Sequence, residues 1–413
     1  MKYFLVGIKG SGMAALAHIL KDKGHDVVGS DVDHYVFTQD SLLERNVEIY
    51  RFGEYDLADI DLVIVGHNFY PFSSEVQVAL KLGKGVIEYH KFLSTLVNSK
   101  YSIAICGSHG KTSSVGLLCE IMKDFNPSFL RGDGVGKWTD SKYFIFEACE
   151  YKEHFLVYKP DEIIILNVDY DHNDYFKNED DYRQSFIDFS KLAKRKVYAL
   201  DSCKFITNKT QYFGENSFKI YDDNSLIYNN KKINNIDLKV HTKEFKNNRL
   251  GVILCALNNR VKPSLLNKYI ADFKGVNRRS QEIIIKDDIF IDDYAHHPNQ
   301  IRVMIEEYRK IYPLKRIIAI FQPDRYSRIL QFHKEINISL STADDAFVLP
   351  FPRFSVNDTS VLFDESIIGI EVLESKKLLN KLKDYNNCVF LFLSSKDLSE
   401  IRLQLMSFKF DIA

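Results

Sequence analysis

What this sequence lacks narrows the field first. Its 413 residues contain no uninterrupted apolar run near the ~18 residues that a membrane-spanning helix needs. Its cysteines, at positions 106, 119, 149, 203, 255 and 388, form no C-x-x-C pair. A disulfide framework or a structural zinc site is therefore not expected, and a reducing cytoplasm is the expected location. Charge of one sign is also missing: 55 Lys and Arg face 56 Asp and Glu, for a net charge of -1. That excludes bulk attraction to nucleic acid or to an anionic membrane. The start, "MKYFLVGIKG", has only one lysine in its early positions and then glycines, so a buried first strand is expected there rather than a leader. No internal repeat and no disordered linker stands out. Partners are expected to be small molecules held at local sites, with the chain a monomer or weak homodimer.

What is present is alternation. "YFLVGI", "DVVGSD", "DLVIVG" and "GVIEY" are short apolar runs, and the first is followed by "SGMAALAHILKDKG" with Met13, Leu16, Ala17 and Leu20 at helical spacing. Buried parallel strands alternating with amphipathic helices predict an α/β fold. A second unit of the same kind starts near Lys100 with strand "YSIAICG" and helix "KTSSVGLLCEIMKDF", and a third near Gln281. Residues 200–245 are rich in Asn, Lys and Tyr and are expected to form small antiparallel hairpins.

Four stretches carry chemistry. In "GIKGSGMAALA", Gly10, Gly12 and Ala15 fit G-x-G-x-x-[GA] between a strand and a helix, with Asp31 about twenty residues on. Such a turn brings backbone N–H groups and a helix N-terminus to a diphosphate. Alone, it fits a dinucleotide cofactor or any nucleotide diphosphate. "CGSHGKTSS" (106–114) ends in Gly-Lys-Thr, but Ile105 stands where the usual phosphate loop has its first glycine. Strand before and helix after still predict a nucleotide site, with Lys111 on the terminal phosphates and Thr112 on Mg²⁺. "EACE" (147–150) and "NVDYDHND" (167–174) end the neighbouring strands and place Glu150, Asp171 and His172 beside that loop, as a metal site next to ATP. Later come Arg278, Arg279, "DDYAHHP" and "FQPDRYSR". Paired arginines suit phosphate or carboxylate, and His296 and His297 before Pro298 suit a helix cap.

Taken together, "GIKGSGMAALA", "GSHGKTSS", "FEACEYKEHFL", "NVDYDHNDYF", "FKGVNRRS", "DDYAHHPNQI" and "FQPDRYSR" resemble the Mur ligase family, in family order from residue 7 to residue 328. The short loop then follows the family form G-[TS]-x-G-K-[TS]. The resemblance implies three domains: an N-terminal Rossmann-like domain (1–99) for a UDP-sugar, a central P-loop ATPase-like domain (100–280), and a C-terminal Rossmann-like domain (281–413) for the amino acid. It implies ATP and Mg²⁺, with UDP-N-acetylmuramate and L-alanine as substrates for peptidoglycan precursor synthesis. Gly107, Ser108, His109, Gly110, Lys111, Thr112 and Ser113 would hold ATP, with Asn248, Arg279 and Asp293. Thr112, Glu150 and His172 would hold Mg²⁺. Gly10, Ser11, Gly12, Met13 and Asp31 would face the sugar nucleotide. Arg325 and Arg328 would face the amino acid. Lys111, Glu150, His172, Arg279 and His297 would serve the chemistry.

The chain departs from the family pattern in three places. The H-N-x-x-N motif reads Asn247, Asn248 and then Gly251 at its last position. "LSSKDL" (393–398) replaces a G-x-G-D turn. Asp324 replaces a histidine in "FQPDRYSR". A relative adding another amino acid or a peptide, a drifted nucleotide- or UDP-sugar-binding protein, and a dinucleotide-dependent oxidoreductase remain as alternatives. The last leaves "GSHGKTSS", Glu150 and His172 unexplained.

Overall fold

The computed structural model describes residues 1–351 and 365–410. It is α/β, and its parallel sheets follow the apolar runs. The first sheet has five parallel strands in the order Glu48–Arg51, Asp26–Asp31, Lys2–Val6, Leu62–Val65, Gly85–Glu88. Strand order reverses at Lys2–Val6, so a crevice opens beyond the carboxyl end of that strand, where the glycine loop lies.

The second sheet has seven strands, and Tyr101–Cys106 lies between Glu162–Ile165 and Tyr143–Glu147. Both neighbours run parallel to it. The three segments leaving these carboxyl ends are the phosphate loop, "EACE" and "NVDYDHND". The order of the sheet, not proximity in sequence, therefore gathers the candidate site. The third sheet holds Gln281–Ile285, Asp288–Asp293, Cys388–Leu393, Arg316–Phe321 and Asp345–Val348, parallel except for the first hairpin.

The chain divides into two compact units. One is Met1–Lys239 with Phe245–Lys274; the other is Val240–Glu244 with Gly275–Ala413. Both of the larger parallel sheets in the first unit share one apolar cluster, running from Leu5 and Leu16 to Phe144 and Phe186. The contact is tight where strand Gly136–Lys137 lies on helix Ser11–Asp22: a Cβ at Gly136 would stand 2.0 Å from the Ala15 carbonyl oxygen. The Trp138 backbone N–H donates to Asp22 at 2.9 Å. No helix among the described residues is long and apolar enough to cross a membrane.

Residues 200–245 differ in part from expectation. Leu226–Tyr228 and Lys231–Ile233 do form an antiparallel hairpin. Thr210–Phe213 instead extends the main sheet, parallel to Lys196–Leu200. A four-residue run does not encode its partner, and the long-range pairing decided it.

Candidate active site

The phosphate loop is built for close approach by an anion. Gly107 has φ +136° and Gly110 has φ +84°. A Cβ at Gly107 would lie 3.0 Å from the Asn167 carbonyl oxygen, and one at Gly110 would lie 2.4 Å from Asn248 Nδ2. Both positions thus need glycine twice over, for backbone conformation and for space. Asn167 clasps the loop: its side-chain oxygen accepts from the His109 N–H at 2.8 Å and its amide donates to the His109 carbonyl at 3.0 Å. Ser108 Oγ donates to the Asp169 carbonyl at 2.6 Å. Helix Lys111–Ile121 starts directly at the loop, so the N–H groups of its first turn, which includes Ser113, belong to this end.

Lys111 lies inside this cradle. Its ammonium donates to the Gly107 carbonyl at 2.6 Å and stands 3.0 Å from the Glu150 carboxylate. His172 Nε2 is 3.4 Å from the same carboxylate. Burial pushes the Glu150 carboxyl up, but the Lys111 charge, the His172 contact and a backbone N–H outweigh it and hold the group below the usual carboxylate range. Burial pulls Lys111 down, yet Glu150, Cys149 and Glu147 leave it raised, so it stays cationic.

Thr112 is placed differently. Its hydroxyl donates to Glu147 at 2.8 Å, and the Gly132 N–H donates to the same carboxylate oxygen at 3.0 Å. The residues expected at one metal site therefore form two pairs: Thr112 with Glu147, and Glu150 with His172. Glu147 is a candidate functional residue that sequence reasoning passed over. Its signal was present, as the first acid of "EACE" and the last residue of its strand. Asp171 is buried nearby, and its carboxylate accepts from the His172 N–H at 2.7 Å.

At the glycine loop of the first sheet, the acid predicted to face substrate is spent on the backbone. Asp31 accepts from the Lys9 N–H at 2.6 Å and the Val32 N–H at 2.7 Å, holding the loop in place from beneath. Gly10 is the N-cap of helix Ser11–Asp22, and Ser11, Gly12 and Met13 make its first turn. A Cβ at Gly12 would meet the Tyr89 hydroxyl at 2.7 Å.

A second set of polar groups gathers where this sheet meets the segment after Glu150. His67 follows strand Leu62–Val65, His90 follows Gly85–Glu88, and Lys152 and His154 follow Glu150. Lys152 and Glu153 both take the left-handed backbone conformation, at φ +52° and +58°, which costs about 1–2 kcal/mol per non-glycine residue. No sequence signal joined these residues, because three separate segments supply them.

In the second unit, Asp293 accepts backbone N–H groups from Ser280 at 2.8 Å and Ala295 at 2.9 Å. Burial raises its carboxyl, against the opposing Arg279 charge. The Arg279 guanidinium lies 4.4 Å from the Tyr294 ring centre. Its neighbour Arg278 is buried and donates to the carbonyls of Ser394, Ser395 and Lys396. The turn that replaced the expected glycines is therefore pinned by a guanidinium. His297 is the N-cap of helix Pro298–Ile311, and its ring meets Phe332 edge-on at 5.0 Å. Arg325 is exposed at the start of helix Tyr326–Leu340.

Asp324 and Arg328 form a closed buried pair. One guanidinium nitrogen reaches both carboxylate oxygens at 2.9 Å, and Ser395 Oγ donates to Oδ2 at 2.6 Å. Burial raises Asp324, but His296, Arg328 and Ser395 together hold it below its ordinary value. Two of the three departures from the family pattern, Asp324 and the "SSKD" turn, are thus one hydrogen-bonded arrangement. Within the third, Gly251 has a packing cause: a Cβ there would come 2.7 Å from the Phe213 ring, which occupies the space a longer side chain would need.

Residues 2–101 match the Mur ligase family, catalytic domain, and residues 278–367 match the Mur ligase, glutamate ligase domain. The chain is 35% identical over 420 aligned positions to a UDP-N-acetylmuramate–L-alanine ligase of Limosilactobacillus reuteri, with 96% of each chain covered. The fold resembles the UDP-N-acetylmuramate–alanine ligase MurC of Thermotoga maritima, with a TM-score of 0.78 at 22% identity over 99% of this chain and 98% of that one. It also resembles a murein peptide ligase of Psychrobacter arcticus, with a TM-score of 0.73 at 21% identity over 100% of this chain and 99% of that one. The likeness to the Limosilactobacillus enzyme spans nearly the whole of both chains, and the chain belongs to the Mur ligase family.

Proposed function

We propose that the protein is an ATP-dependent ligase that joins the amine of L-alanine to the carboxylate of UDP-N-acetylmuramate, in the cytoplasm. The observation that carries this reading is the Lys111–Glu150–His172 group, set in an anion-binding loop between two acid-bearing strand ends. The near-full-length likeness to an alanine-adding relative supports it. The division into 1–99, 100–280 and 281–413 belongs to the same reading, supported by one major sheet in each part. So do the assignments of Asn248, Arg279 and Asp293 to ATP, of His297 to the reacting groups, and of Arg325 to the amino acid.

The physical obstacle is to bring a carboxylate onto a triphosphate. A muramyl carboxylate oxygen attacks the γ-phosphorus and ADP leaves, giving an acyl phosphate. The alanine amine then attacks the acyl carbon, loses a proton, and phosphate leaves. Lys111 offsets the repulsion in the first step: its ammonium exchanges the Glu150 carboxylate for phosphate oxygens while the loop N–H groups hold the charge. Until then the buried Glu150, itself in contact with His172, keeps that ammonium charged and in place.

Mg²⁺ bound with ATP would neutralise phosphate charge. Among the described residues, no group of three or more His, Cys, Asp and Glu side chains is gathered to hold a metal alone. Magnesium bound with a nucleotide makes no such demand, because it takes one or two protein ligands beside phosphates and waters. Thr112 with Glu147 fits that need, and His172, whose Nδ1 is buried without a hydrogen-bond partner among the described residues, adds a further donor.

The test is phosphate release from ATP in the presence of UDP-N-acetylmuramate and each amino acid in turn. Release with L-alanine is expected, and its absence there overturns the reading. Release only with another amino acid favours the second reading, a relative of altered specificity. The observation in that reading's favour is that Asp324 already occupies Arg328.

A further inference from the structure

The polar cluster between the first sheet and the segment after Glu150 has an order that fixes its protons. Lys152 Nζ lies 2.8 Å from His67 Nε2, and His67 Nδ1 lies 3.2 Å from His154 Nε2. A lysine ammonium only donates, so His67 Nε2 accepts. His67 then carries its proton on Nδ1 and donates to His154. The His154 ring stacks on His90 with centres 4.4 Å apart and planes 9° apart. The result is a polarised chain of neutral imidazoles that begins at a cation. Burial lowers all three histidines, His154 to about 4, and the Lys152 charge lowers His67 further.

Acid is scarce here. Glu88 is 4.0 Å from His90 and is shared with Lys91. Glu153 is turned towards the Tyr175 hydroxyl at 2.9 Å. Lys152 spends one of its three N–H donors on His67 and lies 5.4 Å from the Tyr151 ring centre. The same ring also meets His172, at 4.7 Å between centres. The ammonium is thus one aromatic ring away from the Glu150–His172 pair. Two consecutive residues hold the left-handed conformation that puts it there, and strain of this kind marks positions kept for function. His67 and His90 also follow the carboxyl ends of two strands of the first sheet, the edge where parallel sheets bind ligands.

We infer that Lys152, oriented by the His67–His154 chain, is the seat for an oxyanion of the sugar-nucleotide substrate, either the lactyl carboxylate of the muramyl group or the diphosphate. This rests on the ligase reading. The seat supplies an ammonium with two donors not taken up among the described residues, and it holds the anion next to the phosphate site. Lys152 is a binding residue and His67 a positioning residue.

Calorimetric titration of UDP, UDP-N-acetylglucosamine and UDP-N-acetylmuramate into the wild-type protein and Lys152→Asn tests this. Asparagine tolerates the left-handed backbone and removes the ammonium. ATP binding serves as the fold control. At least a tenfold loss of affinity for UDP-N-acetylmuramate, with UDP-N-acetylglucosamine unchanged, places the carboxylate on Lys152. Equal loss for all three ligands places the diphosphate there. Lys152→Arg recovers most of the loss in either case. His67→Gln, which keeps the Lys152 charge, loses several-fold and stands in if the Asn variant fails the ATP control. Wild-type affinity for all three ligands in variants that still bind ATP overturns the seat alone. No binding of either UDP-sugar by the wild type overturns the ligase reading, and the seat with it.

Discussion

Each unit of this protein buries a cation against a carboxylate, and the two pairs are built to opposite ends. Lys111 and Glu150 meet at 3.0 Å with side chains 13% and 1% exposed; Arg328 and Asp324 meet at 2.9 Å with 6% each. Lys111 stands in a loop of open glycines and donates to the Gly107 carbonyl at 2.6 Å and, more weakly, to the Ser108 carbonyl at 3.4 Å. Its partner can be exchanged for phosphate. Asp324 is held by Arg328 and Ser395, and Ser395 sits in a turn that Arg278 fastens by three carbonyls. That pair is closed. A buried ion pair is therefore not evidence of a binding site by itself; what matters is whether another anion can replace the carboxylate.

The largest effect expected from breaking this comparison is at Lys111. Lys111→Ala should reduce ATP-dependent phosphate release by about 10³-fold or more, since it removes the main counter-charge to the transferring group; near-normal release in a folded variant would sink the central assignment. Next come the acids. Glu147→Gln and Glu150→Gln should each lower kcat by about 10²-fold, and only Glu147→Gln should also raise the magnesium concentration needed for half-maximal rate.

Removing one partner of a buried pair costs about 3–5 kcal/mol, which gives a stability test. Glu150→Ala and Asp324→Ala should both lower the denaturation midpoint. Added ATP should restore much of it for Glu150→Ala and little for Asp324→Ala, because phosphate replaces only the first carboxylate. Equal rescue of both would erase the distinction. A smaller loss, about 1–3 kcal/mol, is expected for Gly251→Ala, which drives a methyl into the Phe213 ring.

The smallest effect is a titration. His18 is buried on helix Ser11–Asp22, and burial, then the Arg45 charge, lowers it from 6.5 to about 4. The unfolded chain therefore takes up this proton first. Stability should fall as pH drops from 6.5 towards 4 and be unaffected by this group above that range. His18→Gln should shallow that slope in thermal melts at several pH values. An unchanged slope would exclude His18 as its source.

Much of the site was legible because it is local. Strand, glycine loop and helix occupy consecutive residues from Tyr101 to Ile121, so one short stretch states both backbone shape and charge. The acids were legible as a set but not as individuals. Glu147 and Glu150 are three residues apart at a strand end, and only the packed structure sends one to Thr112 and the other to Lys111. Arg278 and Arg279 were equivalent in sequence, yet one is a buried fastener and the other lies against Tyr294. The Lys152 cluster was not legible at all, since it joins residues 67, 90 and 154 across two sheets.

By itself, then, the sequence determined the α/β class, the phosphate loop and the identity of the charged groups, because period, glycine placement and residue type are local properties. The tertiary structure decided which charges meet. Strand order brought "EACE" and "NVDYDHND" to either side of Lys111 and brought Ser395 to Asp324, and strand order is set by pairings between residues tens to hundreds of positions apart.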